Sequence, residues 1–153
     1  MLYHGCIPTK EDGTFDDVYI DGQYLSGWKY LKQVEDKVRK AFYCEVGSEE
    51  QLNALDYCWY LWSGPKSPLF GKNKMTTFER YFIEDKATHK EHYNPYYYHI
   101  EDRDYCKSIL KEFDLDINKS HIVNGHVPVK THKGESPIKG EGILLVIDGG
   151  LSK

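Results

Sequence analysis

From Tyr24 to Tyr43 the apolar positions 24, 28, 31, 34, 38 and 42 recur at intervals of three and four, which predicts an amphipathic helix. Gly47 closes it. Ser48 with Gln51 then forms a capping box for a second helix, whose apolar stripe is Leu52, Leu55, Trp59 and Trp62. "SGP" at 63–65 stops that helix and leads into a loop, "SGPKSPLFGKNKM". Thr76 and Glu79 form another capping box for a short helix, "TFERYFI", and residues 84–99 are irregular, charged and aromatic. A fourth helix, roughly 101–113, has acids in its first turn (Glu101, Asp102, Asp104), which suits the helix dipole. Its apolar face is Cys106, Ile109, Leu110 and Phe113.

Beyond residue 114 the period changes. "SHIVNGHVPV" and "GILLVIDGG" are β-branched, apolar runs bounded by turns, and the second predicts a strand buried on both faces. The N-terminal "MLYH" reads as the end of a strand, followed by the turn-rich "GCIPTKEDGTF". The pattern predicts an α/β fold in one partial domain, 1–153. Residues 1–23 and 114–153 supply a small sheet from both chain ends, and residues 24–113 form a mostly helical insertion or cap. A sheet cut at both ends of the sequence predicts a piece of a longer protein.

Composition narrows the class. With 153 residues, 40% hydrophobic and 29% charged, the chain has the make-up of a globular domain. A net charge of −4 provides no electrostatic footprint for nucleic acid. No apolar run reaches membrane-spanning length and none resembles a signal peptide, so no membrane partner and a cytoplasmic location are expected. Cysteines 6, 44, 58 and 106 have no short zinc or redox spacing and read as free thiols. Thirteen Tyr, six Phe and three Trp suit a core or interface that is partly wet.

Two segments, "LYHGC" and "NGHVPVK", place a histidine beside a glycine after an apolar run. Histidines at strand ends can share a site at one sheet edge, and imidazole ligates divalent metals when further ligands join it. Taken singly, His4 and His126 each read as loop residues before metal ligands. "HKEH" (89–92) reads as solvated surface. His121, of opposite strand parity to Asn124 and His126, faces away from them. "GPKSPLFGKN" fails as a phosphate loop, because six residues separate its glycines and Asn73 stands where Ser or Thr is required. Lys66, Lys72, Lys74 and Arg80 can still hold substrate phosphates by charge, or form a solvated loop. Asp148 in "VIDGG" reads as a turn former before a carboxylate ligand.

Taken together, "LYHGCIP", "YLWSGPKSPLFGKNKMTTFERYFIEDKATHKEHYNPYYY", "HIVNGHVPVK", "KGESPIK" and "LLVIDGGLSK" resemble the class III fructose-1,6-bisphosphatases of Firmicutes-type bacteria over essentially the whole chain. That family resembles the calcineurin-like metallophosphoesterases. The resemblance implies a partial metallophosphoesterase-type sheet and Mn²⁺-dependent hydrolysis of the 1-phosphate of fructose 1,6-bisphosphate in gluconeogenesis. It matches His4 and His126 to two histidines that bind the same metal of a two-metal pair. The Asp-x-His, Gly-Asp-x-x-Asp and Gly-Asn-His motifs of the wider superfamily are absent from the sequence. The chain thus resembles a C-terminal piece of the catalytic unit, inactive alone and a weak metal binder. Its expected partner is a small sugar bisphosphate, met by Lys66, Lys72, Lys74, Arg80 or Lys130, with a homo-oligomer favoured by open sheet edges. A non-catalytic phosphometabolite-binding or subunit-interaction module and a phosphoprotein phosphatase are the alternatives.

Overall fold

The structure is a computed structural model and describes residues 1–148. Near the N-terminus Asp21 and Gly22 both take positive φ (49° and 82°), the backbone that an Asp-Gly hairpin turn supplies. They join β1 (Val18–Ile20) to β2 (Gln23–Leu25) as an antiparallel hairpin. Tyr24 is therefore a strand residue, and the first helix starts later than its periodicity predicts. The signal for the hairpin, Asp-Gly between apolar pairs, was present in "YIDGQYL".

α1 (Gly27–Tyr43) buries Gly27, Tyr30 and Val34, the face turned to the hairpin and to α2 (Glu49–Ser63). Of the predicted stripe Val34 is in that core and Leu31 packs against it, while Trp28, Val38 and Phe42 are exposed. The capping box of α2 forms as expected: the Ser48 hydroxyl accepts from Gln51 N at 3.2 Å, and Gln51 Oε1 accepts from Gly47 N at 2.8 Å. Yet α2 buries Gln51, Ala54 and Leu61, and the Leu52, Leu55, Trp59, Trp62 stripe faces outward.

α3 (Thr77–Phe82) matches its predicted span. Thr76 does not cap it; its hydroxyl turns to the Glu91 carboxylate at 2.9 Å. The 84–99 segment holds a single turn of 3₁₀ helix, Lys86–His89, and the short α4 (Tyr96–His99). In α5 (Arg103–Glu112) the Asp102 carboxylate caps by accepting from Tyr105 N at 2.9 Å, and Tyr105, Cys106, Ile109 and Leu110 are buried.

The sheet has β3 (Ile122–Asn124), β4 (Ile138–Lys139) and β5 (Leu144–Val146) in the order β3-β5-β4, with β3 parallel and β4 antiparallel to β5. The N-terminus joins its other side. Leu2 bridges Val123 in parallel, with Val123 N donating to Met1 O at 2.8 Å and Tyr3 N to Val123 O at 3.1 Å. The N-terminus thus meets this sheet through one isolated bridge, at Leu2, while β1 and β2 form a separate two-stranded sheet rather than joining it as expected. Its inner face, with Ile122, Leu144 and Val146, packs on Cys6, Ile7, α4 and α5. β5 is buried on one face only, since Leu145 and Ile147 point outward. The continuous apolar run concealed an ordinary alternation because no described element covers the outer face.

Cys6, Cys44, Cys58 and Cys106 are free, and burial pushes the Cys6 and Cys106 thiols up to about 12. Among the described residues no helix is long and apolar enough to cross a membrane.

Candidate functional site

The two Gly-flanked histidines meet. His4 Nε2 lies 3.1 Å from His126 Nδ1, with ring centroids 5.0 Å apart and planes at 70°. Each ring is delivered by a tight backbone passage. Gly5 runs against the loop after α2, where Cys6 N donates to Pro68 O at 2.9 Å, and a Cβ on Gly5 would sit 2.5 Å from that same oxygen. No larger residue fits there. His126 itself has φ +70°, a left-handed conformation rare outside glycine, just after β3.

A buried polar network joins the two passages. Asn124 Nδ2 donates to Gly5 O at 3.1 Å and to the Tyr96 hydroxyl at 2.9 Å, and Tyr96 shares a 2.5 Å hydrogen bond with the Tyr3 hydroxyl. Gly125 N closes the set by donating to His4 O at 2.9 Å. Burial holds the Tyr3 and Tyr96 phenols well above their ordinary pKa, so the network is neutral near pH 7. Sequence reading missed Asn124 and Tyr96 as positioning residues. The available signal was a polar Asn at an inward position of an apolar strand, which must find partners when buried.

Burial is the first cause that lowers the pKa of His126; the neighbouring His4 and, further off, Lys72 add to it, while the Phe70 backbone and Asp148 oppose it. His126 is therefore neutral at pH 7 and can offer a lone pair. Two nitrogens bound at ~2.1 Å to one ion, at a right angle, lie about 3.0 Å apart, close to the observed separation. In the structure the same two nitrogens are hydrogen-bonded to each other. Among the described residues no group of three or more His, Cys, Asp or Glu is arranged to hold a metal ion. Asp148 lies alongside, with Oδ2 3.9 Å from the point where a Gly125 Cβ would be. The Asp-Gly-Gly turn expected there extends to Gly149 and Gly150, which lie outside the described residues.

Both imidazoles open on a cavity of about 660 Å³ walled by Leu61, Trp62, Leu69, Phe70 and Met75. A somewhat larger cavity, about 760 Å³, lies between the hairpin and α2. Its two lysines are already neutralised, Lys37 by Asp21 at 2.6 Å and Lys66 by Asp16 at 2.8 Å, and no histidine lines it. The smaller cavity is the better chemical site.

The five cations suggested for phosphate binding are not gathered around the histidines. Lys66 is tied to Asp16 and to Asp17 O, Lys74 to Thr88 O at 2.8 Å, and Arg80 to the Thr76 hydroxyl at 3.0 Å and His89 O at 3.2 Å. Lys72 pairs with Glu91 at 2.8 Å and lies 5.3 Å from the centre of the Tyr93 ring, yet its charge is felt at His126. Lys130 is exposed. In "HKEH", the His89 ring bonds to Ile83 O and His92 is exposed, so neither joins the site.

A mixed α/β fold thus brings two Gly-flanked imidazoles into contact on turns beside a three-stranded sheet. The chain belongs to the Firmicute fructose-1,6-bisphosphatase family, whose signature matches residues 1–153. It is 55% identical to the class 3 fructose-1,6-bisphosphatase of Clostridium acetobutylicum. It is 53% identical to those of Clostridium botulinum strains Loch Maree and Kyoto. Each match covers all of this chain and 23% of the relative, so the chain spans about a quarter of the length of these proteins. No solved structure matches it.

Proposed function

We propose that this chain forms part of the catalytic unit of a cytoplasmic, Mn²⁺-dependent sugar bisphosphatase that removes the 1-phosphate of fructose 1,6-bisphosphate in gluconeogenesis. The observation that carries the reading is the His4–His126 pair, 3.1 Å apart, with His126 on a left-handed turn and His4 beside the tightly packed Gly5. The names of the relatives supply the substrate. On this reading the three-stranded sheet is a portion of a metallophosphoesterase-type sheet.

His4 and His126 would hold one Mn²⁺ of a two-metal site, with the remaining ligands supplied from outside the described residues. Bound metal supplies Lewis acidity at the phosphate and a hydroxide nucleophile near neutral pH. In the reaction, water adds to phosphorus, the bond to the C1 oxygen breaks, and that oxygen takes up a proton. The chain's own contribution is orientation. Asn124, Tyr96 and Tyr3 fix the two turns, and the cavity wall beside the imidazoles is apolar. Lys72 is the cation best placed to approach a phosphate; Lys66, Lys74 and Arg80 serve the second phosphate only if their present partners release them, and Lys130 is an exposed alternative. The isolated chain, with two ligands, has no useful turnover.

The full-length protein provides the test. With Mn²⁺ present, His4→Ala and His126→Ala should each lower kcat/KM for fructose 1,6-bisphosphate by about 100-fold. A phosphopeptide should be hydrolysed far more slowly than the sugar. Unchanged kinetics in both variants, or a preference for the peptide, would refute the assignment.

A further inference from the structure

The stripe that sequence periodicity assigns to a core, Leu52, Leu55, Trp59 and Trp62, is a surface in the structure. Trp59 and Trp62 are 68% and 63% exposed, and their rings lie against each other at 5.6 Å. Val38 and Phe42 of α1 extend the patch, and no charged residue interrupts the stripe on α2. The patch does not stop at the helices. Val38 and Trp62 also wall the cavity that contains His4 and His126, together with the partly exposed Leu69 and Met75. One apolar strip therefore runs from Phe42 across α2 to the imidazole pair.

A strip with the composition of a domain core, open to water over two helices, has the character of an interface. Its occupant is indicated by length and by chemistry. More than three quarters of each relative lies outside the segment shared with this chain. The strip also ends at a centre that lacks a third ligand among the described residues. A second copy docked through a two-fold axis would bring the same surface again, and would leave the relatives' remaining length unplaced. We propose that the α1–α2 apolar strip is the seat of the polypeptide that the relatives carry outside the matched segment, docked over the cavity mouth so that the His4–His126 pair lies at an interface between two parts of one protein. Trp59 and Trp62 are its anchors.

Co-expression tests this directly. This chain, tagged, is produced together with the remainder of the Clostridium acetobutylicum relative lacking its matched segment. A one-to-one complex should be recovered, and within it the tryptophans of this chain should be shielded from acrylamide quenching. Trp59→Ser/Trp62→Ser should weaken capture by at least about 10-fold, while its circular dichroism remains that of the unaltered chain. Tyr19→Ser/Tyr24→Ser, on the exposed hairpin, should bind normally. Failure of the unaltered chain to capture the remainder overturns the proposal. So does capture that survives loss of both tryptophans, or a tryptophan-dependent dimer of this chain that excludes the remainder. The readout is binding without turnover, so a failed phosphatase assay and a failed docking surface remain distinct results.

Discussion

The side-chain amide of Asn124 donates to the backbone carbonyl of Gly5, tying together positions 119 residues apart. One hydrogen bond thus fixes the turn that carries His4 to the strand that carries His126. A second, from the same nitrogen to Tyr96, ties both to α4.

Asn124→Ala leaves the Gly5 carbonyl without this donor in a buried setting and opens a small void, so we expect a loss of about 2–3 kcal/mol. Urea unfolding followed by circular dichroism measures it. A variant within about 0.5 kcal/mol of the unaltered chain would show that Asn124 does not carry the junction.

Part of this arrangement was legible in the sequence. The Ser48 cap of α2 and the acidic start of α5 follow from local chemistry. The meeting of His4 and His126 came through a family resemblance, because their spacing along the chain carries no metal signature. Periodicity failed at α1 and α2 for a physical reason: it reports that a helix has an apolar face, but not which partner covers that face. Here Tyr30, Val34 and Leu61 met the hairpin core, and the stronger stripe was left outside. The loop cations were legible as charges only. Their partners, such as Glu91 for Lys72, are set by how residues 66–91 fold.

Gly5 provides a steric test of the same junction. A methyl group there would lie 2.5 Å from the Pro68 carbonyl, and backbone cannot yield as a flexible side-chain tip would. Gly5→Ala should therefore destabilise the chain by about 1–3 kcal/mol and displace the His4 ring. Loss of stability in thermal unfolding, with altered His4 imidazole signals in NMR spectra, is the expected result. An unshifted His4 resonance with unchanged Tm would contradict it.

Glu91 should make the loop acid-sensitive. Lys72 is the leading cause that holds its carboxyl down at about 2, helped by the Thr76 backbone N–H and hydroxyl. Its folded pKa lies below the unfolded value, so the stabilisation is complete above the ordinary carboxylate range. It is lost as pH falls from about 4.5 towards 2. At 21% exposure the side chain is only partly screened, and a contribution of about 1–2 kcal/mol is expected. Unfolding curves at pH 6 and pH 3 should differ more for the unaltered chain than for Glu91→Gln; equal differences would remove Glu91 as the cause.

Metal binding by this chain alone should be measurable and weak. The His4–His126 pair supplies two neutral donors at a separation suited to one ion, which favours binding. Against that, a hard divalent ion such as Mn²⁺ prefers several oxygen ligands, and no carboxylate completes a three-ligand set among the described residues. The rings must also give up the hydrogen bond they make to each other, at a cost of about 1 kcal/mol. Isothermal titration with Mn²⁺ should give a dissociation constant above roughly 1 µM, and His126→Ala should abolish the heat. Affinity at or below that value would show that this chain holds more of the centre than its two histidines. Heat that persists in both His4→Ala and His126→Ala would place the ion elsewhere.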